Sequence, residues 1–333
     1  MKFAVIGAGG IGGYLGARLA LSGESVTFIA RGPNLQALRD QGIRLVEEDG
    51  TEHRIDSVKA CQQMTEAGEQ DVVLLALKAH QVAAVVPQIS TLLGPQTTIL
   101  TLQNGIPWWY FHGHPGPWQG QRLESVDPGG VIASHIDNSR IVGSVVYPAS
   151  ELIAPGVIKV IEGNRFSLGE PDGSKSGRVQ AISQALARAG FKAPVSSDLR
   201  SEIWLKLSGN LTFNPVSALT HATLAQICRF PQTRGLALGM MAEAQQVAEK
   251  LGVRFRISLE RRLAGAEAVG EHKTSMLQDV EQGRPLELNA LLGSVIELAR
   301  LTDTPVPRCE AIYACCALLA ERLTERHARL SLG

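Results

Sequence analysis

The stretch Phe3-Ala4-Val5-Ile6-Gly7-Ala8-Gly9-Gly10-Ile11-Gly12 decides the fold. Four apolar residues run into a glycine-dense turn, and Ile11, Tyr14, Leu15 and Leu19 then repeat at helical spacing. A strand, a tight turn and a helix therefore open the chain. The glycines fit the G-x-G-x-x-G fingerprint of dinucleotide binding in its required context. Gly7 is expected to make the turn, Gly9 to let a pyrophosphate approach the backbone, and Gly12 to let helix pack on strand. Gly7, Ala8, Gly9, Gly10, Ile11 and Gly12 are thus candidate cofactor contacts, because a helix N-terminus offers N–H groups and a positive dipole end to phosphate.

Outward from this turn, Ser25-Val26-Thr27-Phe28-Ile29 reads as the second strand. An NAD-binding domain carries an acidic residue where this strand ends; here Ala30-Arg31-Gly32 stands instead. An arginine suits a 2′-phosphate, so Arg31 points to NADP(H). Leu35, Leu38 and Gln41 suggest a short helix, and residues 43–46 and 53–55 a hairpin around Asp49-Gly50. The apolar run Asp71–Leu77 reads as a buried parallel strand ending at Lys78, and Thr98–Leu102 as another ending at Gln103-Asn104-Gly105. Ligands bind at the carboxyl ends of such strands, which makes Lys78 and Asn104 candidate contacts. Residues 107–130 form a long irregular segment with Trp108, Trp109 and Trp118, which favours an ordered loop. Residues 141–147 are a further strand, 157–161 and 165–169 an antiparallel pair, 174–189 a helix and 193–195 a last strand. Beyond Asp198 strand signals stop and the pattern is helical, with long helices expected over 236–251 and 286–301. The expected fold is α/β, with a Rossmann-type doubly wound domain over 1–197 and an all-helical domain over 198–333. The active site is expected in the cleft between them.

Composition removes several function classes. The chain has 333 residues, 44% hydrophobic and 19% charged, with 32 basic and 32 acidic side chains. Zero net charge offers no electrostatic case for nucleic acid or an anionic membrane. No apolar run reaches the length of a membrane span, and the first residues enter a core strand without a leader pattern, so a cytoplasmic protein is expected. Five scattered cysteines without a C-x-x-C pair argue against disulfides and zinc, and His112 and His114 alone make no metal site.

The chemistry concentrates in the helical half. Lys206, Asn210 and Asn214 recur every four residues and so share one helix face, beside Trp204, Leu207, Leu211 and Phe213. A polar stripe among large apolar residues needs partners, and a polar substrate would supply them. Ser275, Asp279 and Glu287 are polar positions among Met276, Leu277, Leu286 and Leu288. A lysine can protonate a ketone oxygen as hydride arrives, and a carboxylate can orient or retune it.

Taken together, Gly7–Gly12, Arg31, Ala76-Leu77-Lys78-Ala79, Gln103-Asn104-Gly105, Trp204-Leu205-Lys206-Leu207 with Asn210 and Asn214-Pro215, and Ser275-Met276-Leu277-Gln278-Asp279 with Glu287 resemble the ketopantoate reductase (2-dehydropantoate 2-reductase) family over nearly the whole chain. The resemblance implies reduction of 2-dehydropantoate to (R)-pantoate by NADPH, a step of pantothenate synthesis. It implies Lys206 as proton donor, with Glu287 beside the reacting centre. Asn210, Asn214 and Ser275 match substrate contacts, and Asn104 touches both substrate and cofactor. Lys78, Ala149 and Glu287 match cofactor-side positions. The chain departs from the family pattern at Leu224 and His272, where asparagine is common, and in the 107–130 insertion. Two alternatives stay open on the same machinery: a reductase of a different small 2-oxo acid, and an NADPH-binding protein without turnover. The apolar C-terminal helices suit a homodimer interface or packing within one subunit equally well.

Overall fold

A computed structural model describes residues 1–325 and 328–331. The chain divides into two compact units. One comprises residues 1–103, 108–122 and 129–199; the other comprises 104–107, 123–128 and 200–333. The second thus takes in Asn104 and two short pieces of the tryptophan segment, which a division at one point in the chain does not separate.

The first unit runs β1 (Lys2–Ile6), α1 (Gly10–Leu21), β2 (Ser25–Ile29), α2 (Gly32–Gln41), β3 (Ile43–Val46), β4 (Glu52–Ile55), β5 (Lys59–Cys61), β6 (Gln70–Leu75), α3 (Ala79–Val82), β7 (Leu93–Thr101), α4 (Val131–His135), β8 (Ile141–Val146), β9 (Ala149–Ala154), β10 (Val157–Glu162), β11 (Phe166–Gly169) and α5 (Gly177–Arg188). Seven strands form one sheet in the order β11-β8-β7-β6-β1-β2-β5. All neighbours are parallel except β11, which runs antiparallel to β8. The chain leaves β1 toward β2 and returns on its other side as β6, so the order reverses at β1. Such a switch point opens a crevice at the strand carboxyl ends. Phe3, Val5, Phe28, Leu74 and Leu100 are fully buried. Strands covered on both faces read as continuous apolar runs, which is why they were visible in the sequence.

A second sheet of order β4-β3-β10-β9 lies in the same unit. It corrects the pairing expected between 157–161 and 165–169. The strand β10 pairs antiparallel with β9 and parallel with β3, whereas β11 joins the large sheet. Burial separates them: β11 is buried at all four positions, but β10 alternates between buried and exposed. The partner β9 carries polar and exposed residues, so it showed no strand pattern. Residues 193–195 form no named strand and contribute only an isolated bridge, Leu168 to Val195, because Pro194 has no N–H for a ladder. Helix α1 packs on both sheets, which is why it is buried over most of its surface.

The tryptophan segment is packed rather than loose. Trp108, Trp109, Tyr110 and Phe111 are all buried. The Trp109 indole donates to Thr101 Oγ1 at 3.1 Å, and that of Trp108 to Asn138 Oδ1 at 3.2 Å. Buried indoles need such acceptors.

The second unit consists of α6 (Leu199–Thr220), α7 (Leu224–Arg229), α8 (Pro231–Lys250), α9 (Leu259–Ala268), α10 (Ser275–Gln282), α11 (Ser294–Leu301) and α12 (Pro307–Glu325). Trp204, Leu207 and Leu211 of α6 are buried, whereas Leu205 is exposed. The helix expected over 286–301 begins at Leu288 and runs on to Leu301 through one irregular turn. A π-turn, Asn289–Gly293, precedes α11, and Glu287 lies outside regular structure. Buried Glu243 of α8 accepts from the Arg308 and Cys309 N–H groups at 3.1 and 3.0 Å and so caps α12. Among the described residues, no helix is long and apolar enough to cross a membrane.

Candidate active site

In the first unit, the glycine turn has the dimensions that its motif demands. Gly7 has φ +99°, a region that favours glycine, and a Cβ there would lie 2.9 Å from the Ala76 carbonyl oxygen. A Cβ on Gly12 would lie 2.0 Å from the Gly7 carbonyl oxygen, and one on Gly10 would lie 2.0 Å from that of Ser150. These glycines let α1 approach β1 and β9. Gly9 differs: a Cβ there meets nothing within 4 Å. It caps α1 without a side-chain hydrogen bond, and the first turn has no acidic residue. Open space before an uncapped helix N-terminus fits a pyrophosphate. Arg31 follows β2 and is exposed, and the first turn of α2 has no acidic residue, which fits a 2′-phosphate. Lys78 is half-buried at the start of α3, where its N–H donates to Gln81 Oε1 at 3.2 Å. Ala149 is half-buried at the first position of β9.

Two residues that the sequence reading passed over hold this region. Asn34 of α2 donates to the Ala8 carbonyl at 2.8 Å and accepts from the Gly156 N–H at 2.8 Å, tying the glycine turn to the small sheet. Gln103 donates to the carbonyls of Leu75 and Leu77 at 2.6 and 3.0 Å, pinning the end of β7 to the end of β6. Its Oε1 is buried without a protein partner, which fits an amide donor of a bound group. Only the position of Gln103 beside Asn104 could have signalled it.

In the second unit, α6 presents Lys206, Asn210 and Asn214 at successive turns. Lys206 Nζ donates to Asn104 Oδ1 at 2.7 Å, across 102 residues of sequence. The lysine is half-buried. Burial pushes its ammonium down from 10.5 to about 8, while the negative charge of Glu287 acts in the opposite direction. The result is a cation that can give up a proton near neutral pH. Asn214 is buried, and its Nδ2 donates to Ser275 Oγ at 3.4 Å. Asn210, between Lys206 and Asn214 in sequence, is half-buried, and Ser275 is exposed at the start of α10. Thr274 caps that helix by accepting from the Leu277 N–H at 3.3 Å, which fixes where Ser275 stands. The Leu224 N–H donates to the His272 carbonyl at 3.1 Å, so the two departures from the family pattern are joined through the main chain. Buried Asp279 is engaged elsewhere, with Arg284 at 2.8 Å. Lys206, Asn104 and Glu287 are therefore one group within this unit, and Asn214 with Ser275 is another. The described residues include no cluster of His, Cys, Asp and Glu able to hold a metal ion.

Residues 3–173 match the family model described as Ketopantoate reductase PanE/ApbA, and residues 198–320 match its C-terminal counterpart. The chain is 53% identical to a 2-dehydropantoate 2-reductase of Mesorhizobium japonicum, over 96% of this chain and 98% of the relative. A crystal structure from Ralstonia solanacearum MolK2 assigned to ketopantoate reductase is 42% identical with a TM-score of 0.92, covering 97% of this chain and 98% of that one. The crystal structure of 2-dehydropantoate 2-reductase from Geobacter metallireducens is 28% identical with a TM-score of 0.84, covering 96% and 100%. With both halves matched and near full-length identity above half, this chain belongs to the ketopantoate reductase family.

Proposed function

We propose that the protein is a cytoplasmic NADPH-dependent 2-dehydropantoate 2-reductase that forms (R)-pantoate for pantothenate synthesis. The observation that carries this reading is the half-buried Lys206 ammonium, lowered to about 8 and bonded to Asn104. The 53% identity to a 2-dehydropantoate 2-reductase supports the choice of substrate. When bound, the cofactor supplies the hydride that adds to the C2 carbonyl carbon. The glycine turn and the α1 N-terminus hold its pyrophosphate, Arg31 holds its 2′-phosphate, and Lys78 and Ala149 line its path. Lys206 delivers a proton to the ketone oxygen as negative charge develops there. Asn104 Oδ1 accepts one ammonium hydrogen, which turns another toward the substrate. Glu287 keeps the lysine protonated against the desolvation that burial imposes. Asn210, Asn214 and Ser275 bind the carboxylate and hydroxyl of the substrate. Lys206 then regains its proton from water.

The expected result with a panel of 2-oxo acids and NADPH is that 2-dehydropantoate has the highest kcat/KM. A tenfold or greater preference for another acid would favour the second reading, a reductase of a different 2-oxo acid. Leu224 and His272 motivate that reading, because they cannot offer the asparagine amides common at those positions. Binding of NADPH with no turnover of any acid would support a non-catalytic role. For the cofactor, Arg31→Ala is expected to weaken NADPH by about 10- to 100-fold, the usual scale for losing a hydrogen-bonded charge partner. NADH affinity should change less than threefold by the same scale. Equal losses for both cofactors, measured by fluorescence titration, would contradict the role of Arg31.

A further inference from the structure

The residues proposed to move the proton come from distant parts of the chain, and one short element bonds to Glu287 and to the turn that carries Asn104. The π-turn Asn289–Gly293 begins two residues after Glu287. The Ala290 carbonyl inside it accepts from the Ile106 N–H at 3.0 Å and from the Ser294 hydroxyl at 2.8 Å. Ile106 follows Asn104-Gly105, the turn that carries the acceptor for Lys206. Gly105 has φ +87°, and a Cβ on it would lie 2.1 Å from the same Ala290 oxygen. Only a glycine lets the turn come this close. Ser294 is fully buried, and a hydroxyl there reaches back one turn to the carbonyl four residues earlier. Single π-turns inside helices occur frequently at functional sites.

We propose that this π-turn positions the proton donor, with Ser294 as a positioning residue: through the shared Ala290 carbonyl, Ser294 and Gly105 set the Asn104 turn that orients Lys206. The proposal rests on the reading of Lys206 as proton donor. Ser294 touches neither substrate nor cofactor in it. Its hydroxyl fixes the direction of the Ala290 carbonyl, the carbonyl fixes Ile106, and Ile106 fixes Asn104 two residues before it.

A double-mutant cycle tests this. Ser294→Ala should lower kcat by about fivefold, the scale of one hydrogen bond, with NADPH affinity unchanged. In an Asn104→Ala background the same substitution should lower kcat by less than about twofold, because the residue it acts through is gone. Equal losses in the two backgrounds, or no loss in the parent, would overturn the proposal. Gly105→Ala serves as the second variant should Ser294→Ala not fold. It should lower kcat further than Ser294→Ala and show the same dependence on Asn104; an additive loss counts against the proposal. Lys206→Ala, run alongside, separates the two levels. Near-normal turnover in that variant removes the proton-donor reading itself, whereas its inactivity combined with an additive Ser294 cycle removes only the π-turn.

Discussion

Lys206→Ala should lose about 100- to 10,000-fold in kcat while NADPH binds with parent affinity. The size follows from the role. A general acid acts on the transition state, so its removal leaves ground-state binding of the cofactor intact. Lys206→Arg should not restore activity, because a guanidinium holds its proton far too tightly to donate near neutral pH. The pH profile supplies an independent check. Reduction requires the protonated lysine, and burial brings its ammonium down to about 8. Activity should therefore be full below that value and fall as the pH rises through it. Glu287 acts to raise the lysine value, so Glu287→Gln should move this limb to lower pH. An unchanged limb would remove Glu287 from the proton-transfer group. Near-normal kcat in Lys206→Ala would end the mechanism altogether.

The second large effect separates two neighbouring glycines. Gly12→Ala should destabilise the first unit by about 3 kcal/mol or more, because its Cβ would meet a backbone oxygen that cannot swing aside. A Cβ there would lie 2.0 Å from the Gly7 carbonyl oxygen. The melting temperature should drop by roughly 6–12 °C at the 2–4 °C per kcal/mol expected for a unit of this size. Gly9→Ala has open space within 4 Å and an ordinary φ of −83°. It should cost about 1 kcal/mol or less in stability, the scale of a changed N-cap. Its methyl would instead stand where the pyrophosphate approaches, and NADPH affinity should fall by about tenfold or more, as for a clash worth at least 1.4 kcal/mol. Thermal melts without cofactor and NADPH titrations of both variants check the contrast. Parent affinity in Gly9→Ala would show that the phosphates lie elsewhere.

The central strands and the glycine turn were legible because their signals are local. Buried parallel strands show apolar runs, and a strand-to-helix turn at Gly7 shows in ten residues. The pairing of β10 was not legible. A strand pattern names no partner, and neither β9, with its exposed positions, nor three-residue β5 carries one. The π-turn at Asn289–Gly293 was hidden for a related reason, since apolar spacing continues through it. Within the site, the shared face of Lys206, Asn210 and Asn214 followed from a spacing of four. Gln103 and Asn34 were missed because a glutamine beside a turn, or an asparagine in a helix, has no pattern of its own.

The sequence by itself determined the strand–turn–helix opening, the replacement of an acidic residue by Arg31 and the one-faced stripe on α6. Each depends on residues within a few turns of one another. Only the tertiary structure decided that Asn104 leaves the sheet unit to meet Lys206, 102 residues away, and that Ala290 braces its turn. It also decided the acidity of Lys206. Desolvation comes from everything packed around the ammonium, and no local run of residues encodes how much water a fold excludes.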